Sequence, residues 1–237
     1  MAAATSATQA DYGLLAPRAV HDMYSRAAWT AGFALVLYFI NRAEYPGPSA
    51  RLAGVLLLVA GGFFAAARFL VWVSKTGSLR VREQLLDALE LNGSERILDV
   101  GCGRGILGIG AAQRLKTGKV IGVAGESEIA RENAKAEGVA DRIRFEPGEF
   151  LKLSYPDANF DAVICGLALH TLEHADERSR AVREMVRVLK PGGRLAIHEI
   201  GDISEYSDQL TAAKLNVEVA ATSLPLGLGG RIIVARK

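Results

Sequence analysis

Apolar positions are unevenly distributed along the chain. Between Arg26 and Asn41 runs AAWTAGFALVLYFI, and between Arg51 and Lys75 runs LAGVLLLVAGGFFAAARFLVWVS, interrupted by one charge at Arg68. A helix needs roughly 20 apolar residues to cross a bilayer, with about 17 as the lower limit. The second run meets that length, and the first meets it if Ser25 and Asn41 lie at the interface. Trp29, Tyr38, Tyr45 and Trp72 fall near the ends, where interfacial aromatics collect, and Arg68 is close enough to one end to snorkel. Gly54, Gly61 and Gly62 suit close helix packing in lipid. The pattern predicts a two-helix transmembrane hairpin over residues 25–75, after an N-terminal segment of residues 1–24. The alternative is a helical hairpin packed on a soluble domain or at a dimer interface. Arg18 and Arg26 precede the first run, and Lys75, Arg80 and Arg82 follow the second, against only Arg42 and Arg51 between them. That asymmetry places both termini, and the domain that follows, on the cytoplasmic side of a multi-pass membrane protein. The start, MAAATSATQADYGLL, lacks the basic n-region of a cleaved secretory signal.

From Ser94 onward, short apolar runs alternate with segments of helical period. Strands are predicted at residues 96–100, 119–123, 142–146, 160–166, 194–200, 217–222 and 231–235. Helices are predicted at 79–91, 106–115, 127–137, 176–189 and 205–215. Such alternation indicates an α/β fold, a doubly wound and mostly parallel sheet with helices on both faces. The link between the last two strands, SLPLGLGG, is too short for a helical crossover, so the final strand should run antiparallel. Residues 76–237 then form one domain with a seven-stranded sheet.

Charge and cysteine content narrow the partners. The net charge is +2 from 28 basic and 26 acidic residues, with no basic run dense enough to track a phosphate backbone, which argues against nucleic acid. Cys102 and Cys165 lie far apart and give neither a disulfide framework nor metal-ligand spacing.

The first predicted strand runs into ILDVGCGRGILGIG. Gly103, Gly105 and Gly108 satisfy G-x-G-x-x-G, a weak nucleotide signal by itself. Asp99, two residues before Gly101, adds information. A pyrophosphate at a helix N-terminus would disfavour a nearby carboxylate, whereas Asp99 suits the ammonium of an amino-acid moiety. Asp99 can equally cap a tight strand-to-helix turn.

ERILDVGCGRG, GESEIARENAKAEGV, FEPGEFLKLSYPDANFDAVICGLALH and REMVRVLKPGGRLAI, in that order, resemble class I S-adenosylmethionine-dependent methyltransferases of the small-molecule type. The likeness covers about residues 79–237, and the front hairpin is similar to that of a membrane-anchored bacterial subgroup. It implies a Rossmann-like fold, S-adenosylmethionine as cofactor and a small-molecule methyl acceptor. It also implies that Asp99, Gly101, Cys102, Gly103 and Gly105 surround the methionine part of the cofactor. Gly148, Glu149 and Phe150 match the loop in which an acid accepts from the adenine amino group, and Gly166 and Leu167 begin the segment to His170 that lines the reacting end. Lys190-Pro191-Gly192-Gly193 reads as a helix stop and turn.

One position departs from the family pattern. Ala124 stands where an acid is expected after the second strand, and Glu126 is the first carboxylate able to reach the ribose hydroxyls. Its other reading is an acid complementing a helix dipole. Methyl transfer needs a general base only when the acceptor must lose a proton. His170 is the candidate by position, ahead of His174, His198, Glu173 and Glu199, each of which also reads as a structural or solvated residue. A membrane hairpin makes an apolar, lipid-like acceptor such as a quinone or isoprenoid reasonable, and offers a route to a homo-oligomer. The competing classes are a non-catalytic, S-adenosylmethionine-binding membrane adaptor and a nicotinamide-dependent oxidoreductase.

Overall fold

The computed structural model describes residues 10–13, 17–43, 45–125, 127–222 and 230–237. The chain divides into two units, residues 13–78 and a larger one formed by residues 1–12 and 79–237. The division differs from the expected boundaries at both ends, because the first helix starts well before the apolar run and residues ahead of it join the larger unit.

Residues 13–78 hold helix α1 (Pro17–Asn41) and most of helix α2 (Pro46–Ala88). The segment expected to separate an apolar helix from a helix at 79–91 is itself helical, so α2 is one continuous element. Pro46 and Pro48, read as linker residues, lie in its first turn, where the missing N–H breaks no helical hydrogen bond. Tyr24 and Phe64 meet edge to face with centroids 5.6 Å apart. One lies 17 residues before the end of α1 and the other 18 after the start of α2 (41 − 24 and 64 − 46), so the two helices run antiparallel. A seven-residue spacing recurs among their buried positions: Val20, Ala27 and Ala34 on α1, and Ala53, Ala60, Ala67 and Ser74 on α2. Such a repeat keeps one seam facing a partner helix, and small side chains let backbones approach closely. Bulky apolar residues point outward instead, with Trp29 77% and Leu58 78% exposed and Phe33, Ile40, Val55 and Trp72 also exposed.

Among the described residues one helix, α2, is long and apolar enough to cross a membrane. Two such helices were expected. The apolar run of α1 is shorter and diluted by Ser25, Arg26, Thr30 and Asn41.

The larger unit carries a seven-stranded sheet in the order β3-β2-β1-β4-β5-β7-β6. The strands are β1 (Arg96–Val100), β2 (Lys119–Ala124), β3 (Ile143–Pro147), β4 (Phe160–Gly166), β5 (Leu189–Glu199), β6 (Asn216–Ala221) and β7 (Arg231–Arg236). β7 inserts between β5 and β6, antiparallel to both, and the other pairings are parallel. Helices α3 (Ile106–Arg114), α4 (Glu128–Ala136), α5 (Ala175–Val188) and α6 (Ser204–Ala212) complete the unit with the end of α2.

The central strands are buried on both faces, as parallel strands sandwiched by helices must be. Alternation along β1 divides the core. Leu98 and Val100 join Met185, Leu189 and Leu210 on one face, while Ile97 joins Leu85, Leu89 and Ile109 on the other. Each such fully buried side chain contributes roughly 1.5–3 kcal/mol. On α5 the buried residues Ala181, Val182, Met185 and Val188 form one helical stripe.

Helix α5 stops at Val188, just ahead of Lys190 to Gly193, and these four residues make a turn that interrupts β5. Phe160 of β4 pairs with Leu189 and Ala162 with Arg194, so four residues loop out of the ladder, with Gly192 at φ +78°. The backbone of Lys237 pairs with this loop, accepting from Gly192 at 2.7 Å and donating to Gly193 at 3.0 Å.

Candidate active site

The carboxyl ends of β1 to β5 lie along one edge of the sheet. Val100 pairs with Val123 and Cys165, Ala124 with Pro147, and Gly166 with His198. In doubly wound sheets this edge, near the point where strand order reverses, is where ligands bind.

After β1 the chain turns sharply. The N–H groups of Gly101 and Cys102 both donate to the Val123 carbonyl, at 2.9 and 3.1 Å. Gly101, Gly103 and Gly105 have φ of +70°, +50° and +84°, and a Cβ on Gly101 would come within 2.4 Å of Ala168 Cβ. Only glycine satisfies both the turn and that approach. At Gly103 a Cβ would find only the Gly101 carbonyl, at 3.9 Å, which leaves the loop surface open to a ligand.

Asp99 lies beneath this loop, 1% exposed. Its Oδ2 accepts the Gly108 N–H at 2.8 Å. Gly105, the N-cap of α3, has no side chain to satisfy that helix's first turn, so Asp99 does so from the strand. Of the two roles open to Asp99, the cap is thus filled directly. Burial pushes its carboxyl up to about 7, outweighing the opposing effect of the Gly108 hydrogen bond. Cys102 contributes backbone to the turn, and burial pushes its thiol up, away from a reactive thiolate.

A second buried carboxylate stands at the end of β5. Glu199 is 1% exposed; its Oε1 accepts from the N–H of Leu169 at 2.8 Å and of His170 at 3.4 Å. Its Oε2 lies 3.0 Å from His170 Nδ1, while the His170 side chain is 50% exposed. This contact assigns the Nδ1 proton toward Glu199 and leaves Nε2 as the basic nitrogen facing outward. His170 sits in a single 3₁₀ turn, Leu169–Thr171, which follows Leu167 at φ +53°. A non-glycine residue in that region carries strain, held here by the Leu167 N–H to His198 carbonyl bond at 2.9 Å. The turn is secured further by Thr171 Oγ1 donating to the Ala168 carbonyl at 2.6 Å and Arg178 donating to the Leu172 carbonyl at 3.0 Å.

The other candidates separate clearly. His198 is buried within β5, and His174 is the exposed N-cap of α5. Gly148, Glu149 and Phe150 follow β3; a Cβ on Gly148 would meet Val123 Cγ1 at 2.8 Å, so this loop rests on the end of β2. Glu149 is exposed there, and Phe150 packs against the core. Glu126 lies outside the described residues, so its reading as the ribose acid remains an expectation from the sequence. Sequence reasoning passed over Asn133, a buried amide on α4 whose Nδ2 donates to the Arg104 carbonyl of the glycine loop at 2.9 Å. The available signal was a polar residue on the apolar stripe of that helix.

Residues 97–193 match the family model described as the methyltransferase domain. The chain carries a methyltransferase domain. The cofactor this domain implies is S-adenosylmethionine, as the sequence resemblance indicated. The domain is similar to methyltransferase GfsG of Streptomyces halstedii, 37% identical over 137 residues that cover 56% of this chain and 48% of that protein. It is also similar to 27-O-demethylrifamycin SV methyltransferase of Amycolatopsis mediterranei, 39% identical over 124 residues, covering 50% and 43%. A third relative is demethylmenaquinone methyltransferase of Deinococcus radiodurans, 38% identical over 107 residues, covering 44% and 42%. The chain therefore spans less than half the length of these relatives. Among solved structures, the [4+2]-cyclase SpnF superposes with a TM-score of 0.57 at 25% identity, covering 67% of this chain and 80% of that one. An O-methyltransferase family 2 protein from Planctomyces limnophilus shares the fold, with a TM-score of 0.58 at 23% identity, covering 78% and 69%. The methyltransferase domain thus has the fold expected, down to the antiparallel strand at the end of the chain.

Proposed function

We propose that the protein transfers a methyl group from S-adenosylmethionine to an apolar small molecule and is held at the cytoplasmic face of a membrane by its N-terminal hairpin. The observation that carries the cofactor reading is the pair of buried carboxylates, Asp99 and Glu199, at the edge where the glycine loop opens. Carboxyl groups held in a low-dielectric site favour a cation such as a sulfonium or an ammonium, whose charge would in turn draw the proton from Asp99, and they oppose a pyrophosphate. The same pair therefore weighs against the nicotinamide reading.

The residues present fit the cofactor. Gly101, Gly103 and Gly105 let backbone approach the methionine part, and Asp99 fixes the loop and can ionise against a bound cation. The family resemblance assigns the adenine to Glu149 and Phe150, which follow β3 with Glu149 exposed. Bound S-adenosylmethionine supplies an electrophilic methyl carbon. The protein orients the acceptor so that its nucleophilic atom lies in line, and His170 Nε2 accepts a proton when that atom must lose one. Glu199 stabilises the charged imidazole that results.

The membrane reading is supported by the arrangement of the hairpin, small residues inside and large apolar residues outside, which inverts what water selects. An apolar acceptor follows from that placement. Demethylmenaquinone methyltransferase, one of the relatives, is named for an acceptor of this kind. The hairpin's outer face also offers a surface for pairing with a second copy.

The test supplies detergent-purified protein, labelled S-adenosylmethionine and a membrane lipid extract. Label in the lipid fraction supports the reading; label confined to water-soluble or protein fractions rejects the apolar acceptor. No binding of S-adenosylmethionine at high micromolar concentration rejects the cofactor itself. The second reading, a cofactor-binding protein that transfers no methyl group, is favoured by Ala124 where the family pattern has an acid and by the likeness to the [4+2]-cyclase SpnF. Binding without turnover on any extract would support it.

A further inference from the structure

The described residues near the N-terminus, Asp11 and Tyr12, belong to the same unit as the methyltransferase domain. They lie against the glycine loop. Asn133 acts as a clamp between the two segments. Its Oδ1 accepts the Asp11 N–H at 2.8 Å, and its Nδ2 donates to the carbonyls of Asp11 and Arg104, both at 2.9 Å. An amide side chain satisfied in this way mimics a strand pairing with the backbone of Asp11. The Arg104 guanidinium in turn contacts the Asp11 carboxylate at 2.5 Å. Tyr12 packs against the neighbouring core and donates to Glu137 at 3.4 Å.

Arg104 lies between Gly103 and Gly105, the two most freely rotating positions of the loop, both at positive φ. In the loop itself the Gly105 N–H donates to the Cys102 carbonyl at 2.7 Å, and Arg104 takes its remaining partners from outside. Its carbonyl is held by Asn133 and its side chain by Asp11, so the N-terminal segment and α4 restrain it from outside. A buried amide must find partners for its oxygen and nitrogen, and Asn133 finds them on the two segments at once.

Resting on the cofactor reading above, we propose that Asp11 and Asn133 are positioning residues of the S-adenosylmethionine site. They act through Arg104 to hold the glycine loop in its binding shape before the cofactor arrives. Preorganisation of this kind changes affinity and leaves the chemical step alone.

The test is calorimetric titration of the full-length, detergent-purified protein with S-adenosylhomocysteine, beside Asp11→Ala, Arg104→Ala and the double variant. Each single variant should bind about three- to fivefold more weakly, as befits an exposed ion pair. The double variant should be no weaker than either single one, since both remove one contact. Asn133→Ala should bind about tenfold more weakly. The unfolding midpoint of Asp11→Ala should match the wild type, and KM for the cofactor should rise while kcat holds, a split that a merely structural role would not give. If Asn133→Ala fails to fold, the Asp11 and Arg104 variants decide the matter. Wild-type affinity in those variants overturns the inference while leaving the cofactor reading intact; failure of the wild type to bind overturns both.

Discussion

Glu199 and His170, 29 residues apart in the chain, meet at 3.0 Å because β4 and β5 are parallel neighbours that end together. Their contact fixes which nitrogen of the imidazole can accept a proton. For an acceptor that must be deprotonated, His170→Gln should lower kcat by about 10²–10³ with little change in cofactor affinity. Glu199→Gln should cost about tenfold, because an amide can hold the Leu169 N–H or orient the ring but leaves the charged imidazole without its counter-ion. Single-turnover methyl transfer measures both. Unchanged rates in His170→Gln would remove it from the mechanism.

Asp99 predicts a pH dependence of stability. Its carboxyl rises from 3.8 to about 7 on folding. Between roughly pH 4 and pH 7 the folded protein keeps a proton that the unfolded chain has lost. The contribution to stability is therefore fully present at low pH, falls by up to about 1.4 kcal/mol per pH unit through that window, and levels off above about pH 7. Asp99→Asn keeps an acceptor for the Gly108 N–H and does not titrate. The variant should gain on the wild type by on the order of 4 kcal/mol across the window, read as diverging urea midpoints. Parallel curves would contradict the burial argument.

Gly101 offers a steric prediction. Gly101→Ala sets a side chain at φ +70° with its Cβ 2.4 Å from that of Ala168. A destabilisation of about 2–4 kcal/mol is expected, together with loss of cofactor binding. Ala168→Gly in the same chain should recover the part due to the clash and leave the part due to backbone strain. Differential scanning of the three variants separates the two contributions.

The hairpin seam makes a prediction of its own. Ala34→Leu or Ala67→Leu forces a large side chain into a fully buried position and should cost about 1–3 kcal/mol of hairpin stability. Leu58→Ala, on the outer face, should leave the seam intact. Protease protection of the detergent-solubilised protein reports both, and equal protection in all three would exclude a close-packed seam.

Most of the domain was readable from local pattern. Runs such as RILDV and DAVICG are too apolar and too short for anything but buried strands, and Met185, Val182 and Val188 fall on one stripe of α5. The antiparallel end followed from a connection too short to cross the sheet. The continuous helix α2 was less legible, because its charged second half at 79–88 and its apolar first half look like separate elements by composition. Helical hydrogen bonding ignores that change of polarity. Likewise Lys190-Pro191-Gly192-Gly193 reads as a stop in any one-dimensional scan, yet β4 pairs with the chain on both sides of it.

By itself the sequence determined the order of strands and helices, the sharp glycine turn after β1 and the inventory of carboxylates and imidazoles near strand ends. Those properties depend on residues within a few positions of one another. Tertiary packing is what buries Asp99 beneath the glycine loop, sets Glu199 behind His170, and brings Asn133 and Asp11 to Arg104 across 29 and 93 residues. These contacts depend on strand register and on which elements pack face to face. No local periodicity carries that information, because only burial of the assembled core selects one register over another.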